Sequence, residues 1–274
     1  MRVLDTHTHV ASIASGRDAD ASLSGDWWSA GASAEDLFDA LDANSVAGAV
    51  IVQAIGAHGY DCSYATAVAR THHDRCSLVI AADMHTDRPG EDLESLIDSF
   101  DDEVPLRGVR LFGVDGRDPV WLTDGRAAEV CELAADLELT IVPTIFADRF
   151  TALGSLLQDF PSVAFALDHC GFLDLGDDDA EQRLLDLASF DNLHLKVTSH
   201  VLEAAERDEG DAAPLVERLA EGFGARRLCW GSDHPQDRRR DYAGKLTLAQ
   251  QATRTWTEDD CLHLFNITAD RLFF

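Results

Sequence analysis

Residues 46–53 read Val-Ala-Gly-Ala-Val-Ile-Val-Gln, a short run of apolar and β-branched residues that ends on a polar side chain. A run of this length and composition predicts a buried strand. On either side the pattern changes to helical spacing, over 33–43 before the run and over 60–72 after it. A strand flanked by helices is the repeating unit of a parallel sheet, so the same alternation is expected along the rest of the chain.

The alternation recurs at a steady spacing. The other strand candidates are 2–5, 77–82, 107–112, 138–145, 163–168, 192–198 and 226–231. Helical patterns fall near 90–101, 124–136, 149–159, 178–189 and 211–222, and a C-terminal pair starts at about 246. Eight strands predict an α/β fold of the (β/α)8 TIM-barrel type, regular or distorted, with C-terminal helices. A doubly wound open sheet is the competing architecture, but no glycine-rich phosphate loop supports it.

The length and composition predict a single barrel domain over residues 1–274. The chain is 46% hydrophobic and can bury a large core, and no linker-like segment divides it. The least regular stretch, 10–32, follows the first strand and would form the first loop over the mouth of a barrel. The adjacent Trp27 and Trp28 in this loop are expected either to close over a substrate or to anchor the loop.

The charge of the chain is strongly acidic, with a formal net charge of −28 from 50 acidic and 22 basic side chains. Only two of the basic residues are lysines, Lys196 and Lys245. Such a surface repels nucleic acid and anionic membranes, which excludes both as expected partners. An Asp-rich, Lys-poor composition is similar to that of proteins from salt-loving organisms, in which concentrated salt screens the self-repulsion. We therefore expect a halophilic protein.

Neither an apolar leader nor an apolar stretch of about 18 residues is found, so we expect a soluble, cytoplasmic protein. The six cysteines are scattered without a CxxC pair, which predicts buried thiols rather than a zinc ribbon or a redox motif.

Chemistry-bearing side chains cluster at three predicted strand ends. His7 and His9 lie two residues apart in an extended segment, so their rings share one face and can hold one ion or one substrate oxygen. His169 follows strand six and Asp233 follows strand eight. The C-terminal ends of parallel barrel strands meet on one rim, so these four residues are expected to converge.

The ordered motifs DTHTH (5–9), GVRLFG (108–113), LDHCG (167–171) and WGSDHP (230–235), followed by NITADRLF (266–273), resemble the amidohydrolase superfamily. They look most like its amidohydrolase-2 branch of lactonases and non-oxidative decarboxylases, over nearly the whole chain. The strand end at 52–54 and the segment YDCSY (60–64) are more similar to the sugar-lactone and pyrone-dicarboxylate lactonase group. The resemblance implies a barrel enzyme with the two strand-one histidines, the strand-six histidine and the strand-eight aspartate around the reacting atom.

One position departs from the metal-dependent relatives, which carry a His or Lys at the end of strand five. Residues 141–146 read Ile-Val-Pro-Thr-Ile-Phe and offer no such ligand. The pyrone-dicarboxylate type also lacks this ligand and works without metal. Two alternatives stay open: His7, His9, His169 and Asp233 hold one divalent ion, Zn or Mn, or no metal is bound and the histidines donate to the substrate carbonyl. We expect any ion to be held weakly.

For the reaction we expect a hydrolase that opens a sugar-acid or carboxylated lactone. Asp233 is the predicted general base for the attacking water, and His169 is the second predicted catalytic residue. Arg110 is expected to bind a substrate carboxylate, and Lys196, on a predicted strand, is a second candidate substrate contact. For each of them the alternative is a structural ion pair. Weaker substrate contacts are predicted at Gln53, His58 and His234. The other histidines are expected on the surface or on helices: His72, His73, His85, His194, His200 and His263.

Two rival functions remain at this point. A metal-dependent non-oxidative decarboxylase of the same branch would keep the histidines of strands one and six. A barrel that only binds a ligand would have lost the chemistry, yet every rim residue needed for hydrolysis is present. The expected partner is a small-molecule substrate, and the oligomeric state is left open.

Overall fold

The fold consists of eight parallel strands that follow one another in chain order around one sheet. The computed structural model describes residues 2–12, 32–236 and 239–274. The strands are β1 (Val3–Thr8), β2 (Val46–Val52), β3 (Cys76–Ala82), β4 (Leu106–Phe112), β5 (Thr140–Thr144), β6 (Phe165–Leu167), β7 (Leu193–Thr198) and β8 (Leu228–Gly231). A bridge between Thr8 and His234 joins the end of β1 to the segment after β8 and nearly closes the sheet. The predicted TIM barrel is confirmed.

Helices alternate with the strands. They are α1 (Ala34–Ala43), α2 (Ile55–His58), α3 (Ser63–Thr71), α4 (Pro89–Ile97), α5 (Arg126–Asp136), α6 (Phe150–Asp159), α7 (Asp178–Asp186), α8 (Ser199–Glu209), α9 (Ala213–Phe223), α10 (Tyr242–Ala252), α11 (Glu258–Leu262) and α12 (Thr268–Phe273). A π-helical turn, His263–Ile267, links the last two. In the described part of the chain, no helix combines the length and the apolar character needed to span a membrane.

The strand predictions agree with the structure to within a few residues, but the helix predictions omit α2 and α8. Helix α8 lies directly after β7 and was not predicted. It begins without a turn and without a side-chain cap, so the usual start signals are missing. Its buried face is short, formed by residues such as Val201, Leu202 and Ala205 within a mostly polar segment. The predicted helix over 60–72 corresponds to α3 (Ser63–Thr71), and the short α2 (Ile55–His58) lies before it.

One end of the barrel interior is apolar and the other end is polar. Phe273 of α12 belongs to a buried cluster with inward-facing strand residues, among them Val50, Val79, Val142 and Ala166. This aromatic ring lies close to Gly108 near the start of β4, so α12 covers the N-terminal end of the barrel. The polar side chains lie at the C-terminal end. The predicted loop contribution of Trp27 and Trp28 lies outside the described residues.

Candidate active site

Four polar side chains meet at the C-terminal end of the barrel. His7 lies in β1 and His9 directly follows it, His169 follows β6 and Asp233 follows β8, and all four are buried. The Nε2 atoms of His7 and His9 are 3.2 Å apart. Asp233 Oδ1 lies 3.7 Å from His7 Nε2 and 3.5 Å from His9 Nε2. His7, His169 and Asp233 each present a ligand atom within 4.8 Å of the others. The structure thus brings together the four residues predicted to converge.

The backbone at the strand ends is bent to aim these side chains. His169 and Asp233 both have left-handed conformations, with φ of 54° and 55°. For residues other than glycine such a conformation costs about 1–3 kcal/mol and requires support from the surrounding structure. Part of the support comes from β1, because the backbone amide of Asp233 donates to the His7 carbonyl at 2.8 Å.

Gly231 allows β8 to approach β1 at this point. A Cβ atom at this position would lie 2.7 Å from His7 Cβ. A side chain here would therefore displace either strand end, and with it the relation between His7 and Asp233.

Each of the three histidine rings is anchored through its Nδ1 atom. His9 Nδ1 lies 2.8 Å from the Val52 carbonyl, and His169 Nδ1 lies 2.7 Å from the Thr198 hydroxyl. His7 Nδ1 lies 3.0 Å from a carboxylate oxygen of Asp168. The carbonyl can only accept, so His9 carries a proton on Nδ1, and its Nε2 atom faces the centre of the site.

A fully buried ionic cluster lies beneath the rings. Asp168 Oδ1 is 3.2 Å from Lys196 Nζ. The other carboxylate oxygen, Oδ2, accepts from the Thr144 hydroxyl at 2.7 Å and from Arg110 Nε at 3.2 Å. Arg110 Nε also donates to Thr144 Oγ1 at 2.8 Å. Thr144 occupies the end of β5, where the sequence offers no metal ligand, and its hydroxyl is turned toward Asp168.

Burial and neighbouring charges set the protonation of the site. Burial lowers the pKa of His169 to about 4 and outweighs the attraction of Asp233 and Asp168. Burial also lowers the pKa of His7 well below its usual range despite the adjacent Asp168. For Asp233, burial by itself would raise the pKa, but the His9, His169 and His7 rings hold it well below its usual range. At neutral pH the site therefore combines neutral His7 and His169 with an ionised Asp233.

A cavity of about 230 Å³ opens over these residues. Its described walls are His9, Ala54, Ile55, Gly56, Arg110, Phe112, Val114, His169, Phe172, His200, Asp233 and Gln236. The lining combines apolar side chains with the candidate catalytic groups. A cavity of mixed character with a few convergent polar groups is typical of a small-molecule site.

Of the five predicted substrate contacts, Arg110 is the one that lines this cavity within the described residues. Lys196 lies beneath the histidines, 3.5 Å from His7 Nδ1. The Gln53 amide donates to the carbonyls of residues 59 and 61, away from the cavity. His58 accepts from the backbone amide of residue 12 and stacks on Tyr64. His234 lines a separate cavity of about 650 Å³.

Sequence reasoning missed Asp168, Thr198 and His200. Asp168 directly precedes His169 at a strand end, which is a position where polar residues face the site. His200 is an exposed residue of helix α8, as expected, but it also lines the cavity. Its ring lies 5.6 Å from that of His169 and 5.3 Å from that of Phe172. The signal that could have found it is its position two residues after the end of β7.

The donor set fits a divalent ion. The Nε2 atoms of His7 and His9 face each other across 3.2 Å, close enough for one proton or one cation to be shared between them. Asp233 Oδ1 is buried and makes no hydrogen bond within the described part of the chain. Three imidazoles and one carboxylate form a set that Zn²⁺ and Mn²⁺ accept. His7, His9, His169 and Asp233 would hold such an ion.

Comparison with known proteins places the chain in a family. The amidohydrolase family model matches residues 4–274, nearly the whole length. The chain therefore belongs to the amidohydrolase family.

The individual relatives share little sequence identity with the chain. The chain is 26% identical over 231 residues to an L-fucono-1,5-lactonase from Burkholderia ambifaria, which covers 83% of this chain and 77% of the relative. An amidohydrolase from Burkholderia multivorans with bound zinc superposes with a TM-score of 0.80 at 16% identity, over 100% of this chain and 99% of the other. A probable 2-pyrone-4,6-dicarboxylic acid hydrolase from Acinetobacter baumannii with citric acid bound gives 0.79 at 18% identity over the same shares. These two structures are similar in fold.

Proposed function

We propose that the protein is a hydrolase that opens a lactone. The observation that carries the proposal is the convergence of an ionised, buried Asp233 with three anchored imidazoles at the floor of a small cavity. The family match and the similarity to the L-fucono-1,5-lactonase support a hydrolase of this kind. The substrate class we infer is a sugar-acid or carboxylated lactone.

In this mechanism Asp233 accepts the proton of the attacking water. Its carboxylate is ionised at neutral pH, and it lies on the cavity wall. A base in this position can act on a water next to the substrate carbonyl, and the same carboxyl group can then return the proton to the leaving alkoxide. The anchored rings of His7, His9 and His169 hold their positions around the reacting atom. The polar groups of the site therefore need little reorganisation during the reaction.

A bound divalent ion would polarise the carbonyl and lower the pKa of a water ligand toward about 7. The ion-free alternative needs an Nε2 proton that can be donated to the carbonyl oxygen. Burial lowers the pKa of His7 and so disfavours its imidazolium form as the donor. His169 can supply a proton in its neutral form, because its Nδ1 partner is a hydroxyl that can donate or accept.

Arg110 is the proposed substrate contact. Its Nε atom is held by Asp168 and Thr144, and its guanidinium carbon lies 4.9 Å from the centre of the Phe112 ring. The side chain lines the cavity in this fixed orientation, which suits one carboxylate or a pair of hydroxyls. Lys196, in contrast, is covered by the histidines, so any effect on the substrate passes through them.

The test is hydrolysis of a lactone panel in molar KCl, with Zn²⁺ or Mn²⁺ added and proton release recorded. The panel contains neutral sugar 1,5-lactones and 2-pyrone-4,6-dicarboxylate. Asp233→Asn, which changes the volume little, should lose turnover by about 100-fold or more while keeping the unfolding midpoint. Retained activity in this variant would reject Asp233 as the base.

The same panel separates the rival functions. Release of CO₂ from aromatic carboxylates without lactone opening would indicate the decarboxylase. Saturable ligand binding without any turnover would indicate a barrel that only binds.

A further inference from the structure

We propose that Phe172 is a specificity-determining residue of the site and that its ring binds the C–H face of a galacto-configured sugar 1,5-lactone. The inference rests on the proposed function, because it names the substrate class of the same cavity. Phe172 lines this cavity next to His169, and the centres of the two rings are 4.6 Å apart. Its side chain carries no ionisable group, so it contributes to binding rather than to proton transfer.

The backbone around Phe172 turns this side chain toward the cavity. His169, Cys170 and Phe172 all have left-handed conformations, with φ of 54°, 51° and 52°. Such conformations cost free energy in residues other than glycine, and they persist where the surrounding structure holds them. The turn is held at Gly171, where an added Cβ would overlap the Phe150 ring. It is also held by the Phe172 amide, which donates to the His169 carbonyl at 2.9 Å.

Packing in the core does not account for Phe172. Cys170 and Leu173, close to it in sequence, are buried members of the main apolar core. Phe172 is only partly buried, and within the described part of the chain it belongs to none of the apolar core clusters. Its ring contacts include His200 at 5.3 Å and Phe146 at 5.4 Å between ring centres. A partly exposed apolar ring therefore borders the cavity.

Phe172 also differs from Phe112, the other phenylalanine among the described residues of the cavity wall. The Arg110 guanidinium carbon lies 4.9 Å from the centre of the Phe112 ring, so a cation of the protein already lies against that ring. Phe112 is also more deeply buried than Phe172. Of the two phenylalanines, Phe172 therefore offers more accessible surface to a substrate, and it does so beside a candidate catalytic histidine.

An aromatic ring in this position selects for one face of a sugar. The ring face carries partial negative charge and attracts a continuous patch of C–H groups, whereas a hydroxyl pressed against it would lose its hydrogen bonds to water. In the galacto configuration the C–H groups of carbons 3, 4 and 5 lie on one face of the sugar ring. In the gluco configuration the C–H group of carbon 4 lies on the opposite face. Contact with Phe172 therefore favours the galacto-configured lactone.

Initial rates of lactone opening test the assignment, with the uncatalysed rate subtracted. D-galactono-1,5-lactone and D-glucono-1,5-lactone are the matched substrates, because they differ only in the configuration of carbon 4. The wild-type protein should open the galacto lactone with a kcat/KM about 3–10-fold higher. The difference should lie in KM, because the ring contact is already made by the bound substrate. Equal values, or a preference for the gluco lactone, would overturn the proposal.

Variants assign the preference to one ring. Phe172→Leu and Phe172→Met keep an apolar side chain at the same backbone position and should remove the preference, whereas Phe172→Tyr keeps an aromatic ring and should retain it. Two non-aromatic variants are used so that the result does not depend on the folding of one of them.

Phe146→Leu is the matched control. Phe146 packs against Phe172 and is 48% exposed, but it is not among the described residues of the cavity wall. This variant should keep the wild-type preference. A preference that survives in Phe172→Leu and Phe172→Met, or that is lost equally in Phe146→Leu, would reject Phe172 as its source.

Failure of this inference is distinguishable from failure of the proposed function. Hydrolysis of both lactones with equal efficiency would leave a lactonase and would reject the role of Phe172. Absence of hydrolysis for every lactone of the panel would reject the proposed function, and this assignment with it.

Discussion

Replacement of His194 by Gln should reduce the loss of stability in acid. His194 lies at the start region of β7, away from the active site, and is buried. Its Nδ1 lies 3.2 Å from the Phe165 carbonyl, and its Nε2 accepts from Arg271 at 2.7 Å. Burial and the Arg271 guanidinium lower the pKa of His194 to about 4. The ring is thus held neutral in the fold and can gain a proton in the unfolded chain.

The sign and size of the effect follow from this difference. In the unfolded chain the pKa of a histidine is about 6.5, so both states are neutral above about pH 7.5 and the contribution of His194 to stability is then constant. As the pH falls below 6.5 the unfolded state takes up protons first, and the free energy of unfolding decreases until the folded-state pKa of about 4 is reached. The predicted loss is about 1.4 kcal/mol at pH 5.5 and about 2.5 kcal/mol at pH 4.5.

The assay is urea unfolding of the wild type and of His194→Gln in molar KCl at about pH 7.5, 5.5 and 4.5. The variant loses a histidine hydrogen bond and should be less stable at pH 7.5. The difference in unfolding free energy should shrink, or change sign, by about the amounts given above as the pH falls. Because every other titrating group is common to both proteins, the comparison isolates His194. A difference that stays constant over this range would refute the reasoning.

Four further outcomes are expected. Thermal unfolding from dilute to molar KCl should show a large rise in midpoint, and a flat response would contradict a halophilic protein. Arg110→Met should raise KM more than it lowers kcat; a lower unfolding midpoint at constant KM would assign Arg110 to the ion pair alone. Gly231→Ala should cost about 1–3 kcal/mol, since its Cβ would meet His7, and a wild-type midpoint would contradict this. Chelation should slow lactone hydrolysis until Zn²⁺ or Mn²⁺ is restored; unchanged hydrolysis would favour the ion-free route.

The sequence alone was sufficient for the barrel and for the positions of its rim residues. Strand runs such as 46–53 are local patterns, and their number and alternation with helices predict the architecture. Once the strands are known, the rule that parallel strand ends share one rim brings His7, His169 and Asp233 together without any tertiary information. Helix α8 was not predicted because it follows β7 without a turn or a side-chain cap. The position of His200 on the cavity wall was not predicted for the same reason.

Only the tertiary structure decided what lies behind the rim. Lys196 and Arg110 were expected as substrate contacts or as structural ion pairs; the fold brings both to Asp168, while Arg110 also lines the cavity. These contacts join residues 28 to 58 positions apart and depend on side-chain directions inside a closed barrel. A sequence pattern determines which residues face inward, because that follows from the period of a strand. Which nitrogen of a ring meets which oxygen depends on distances of a few tenths of an ångström across different strands, and those are set by the packing of the whole barrel.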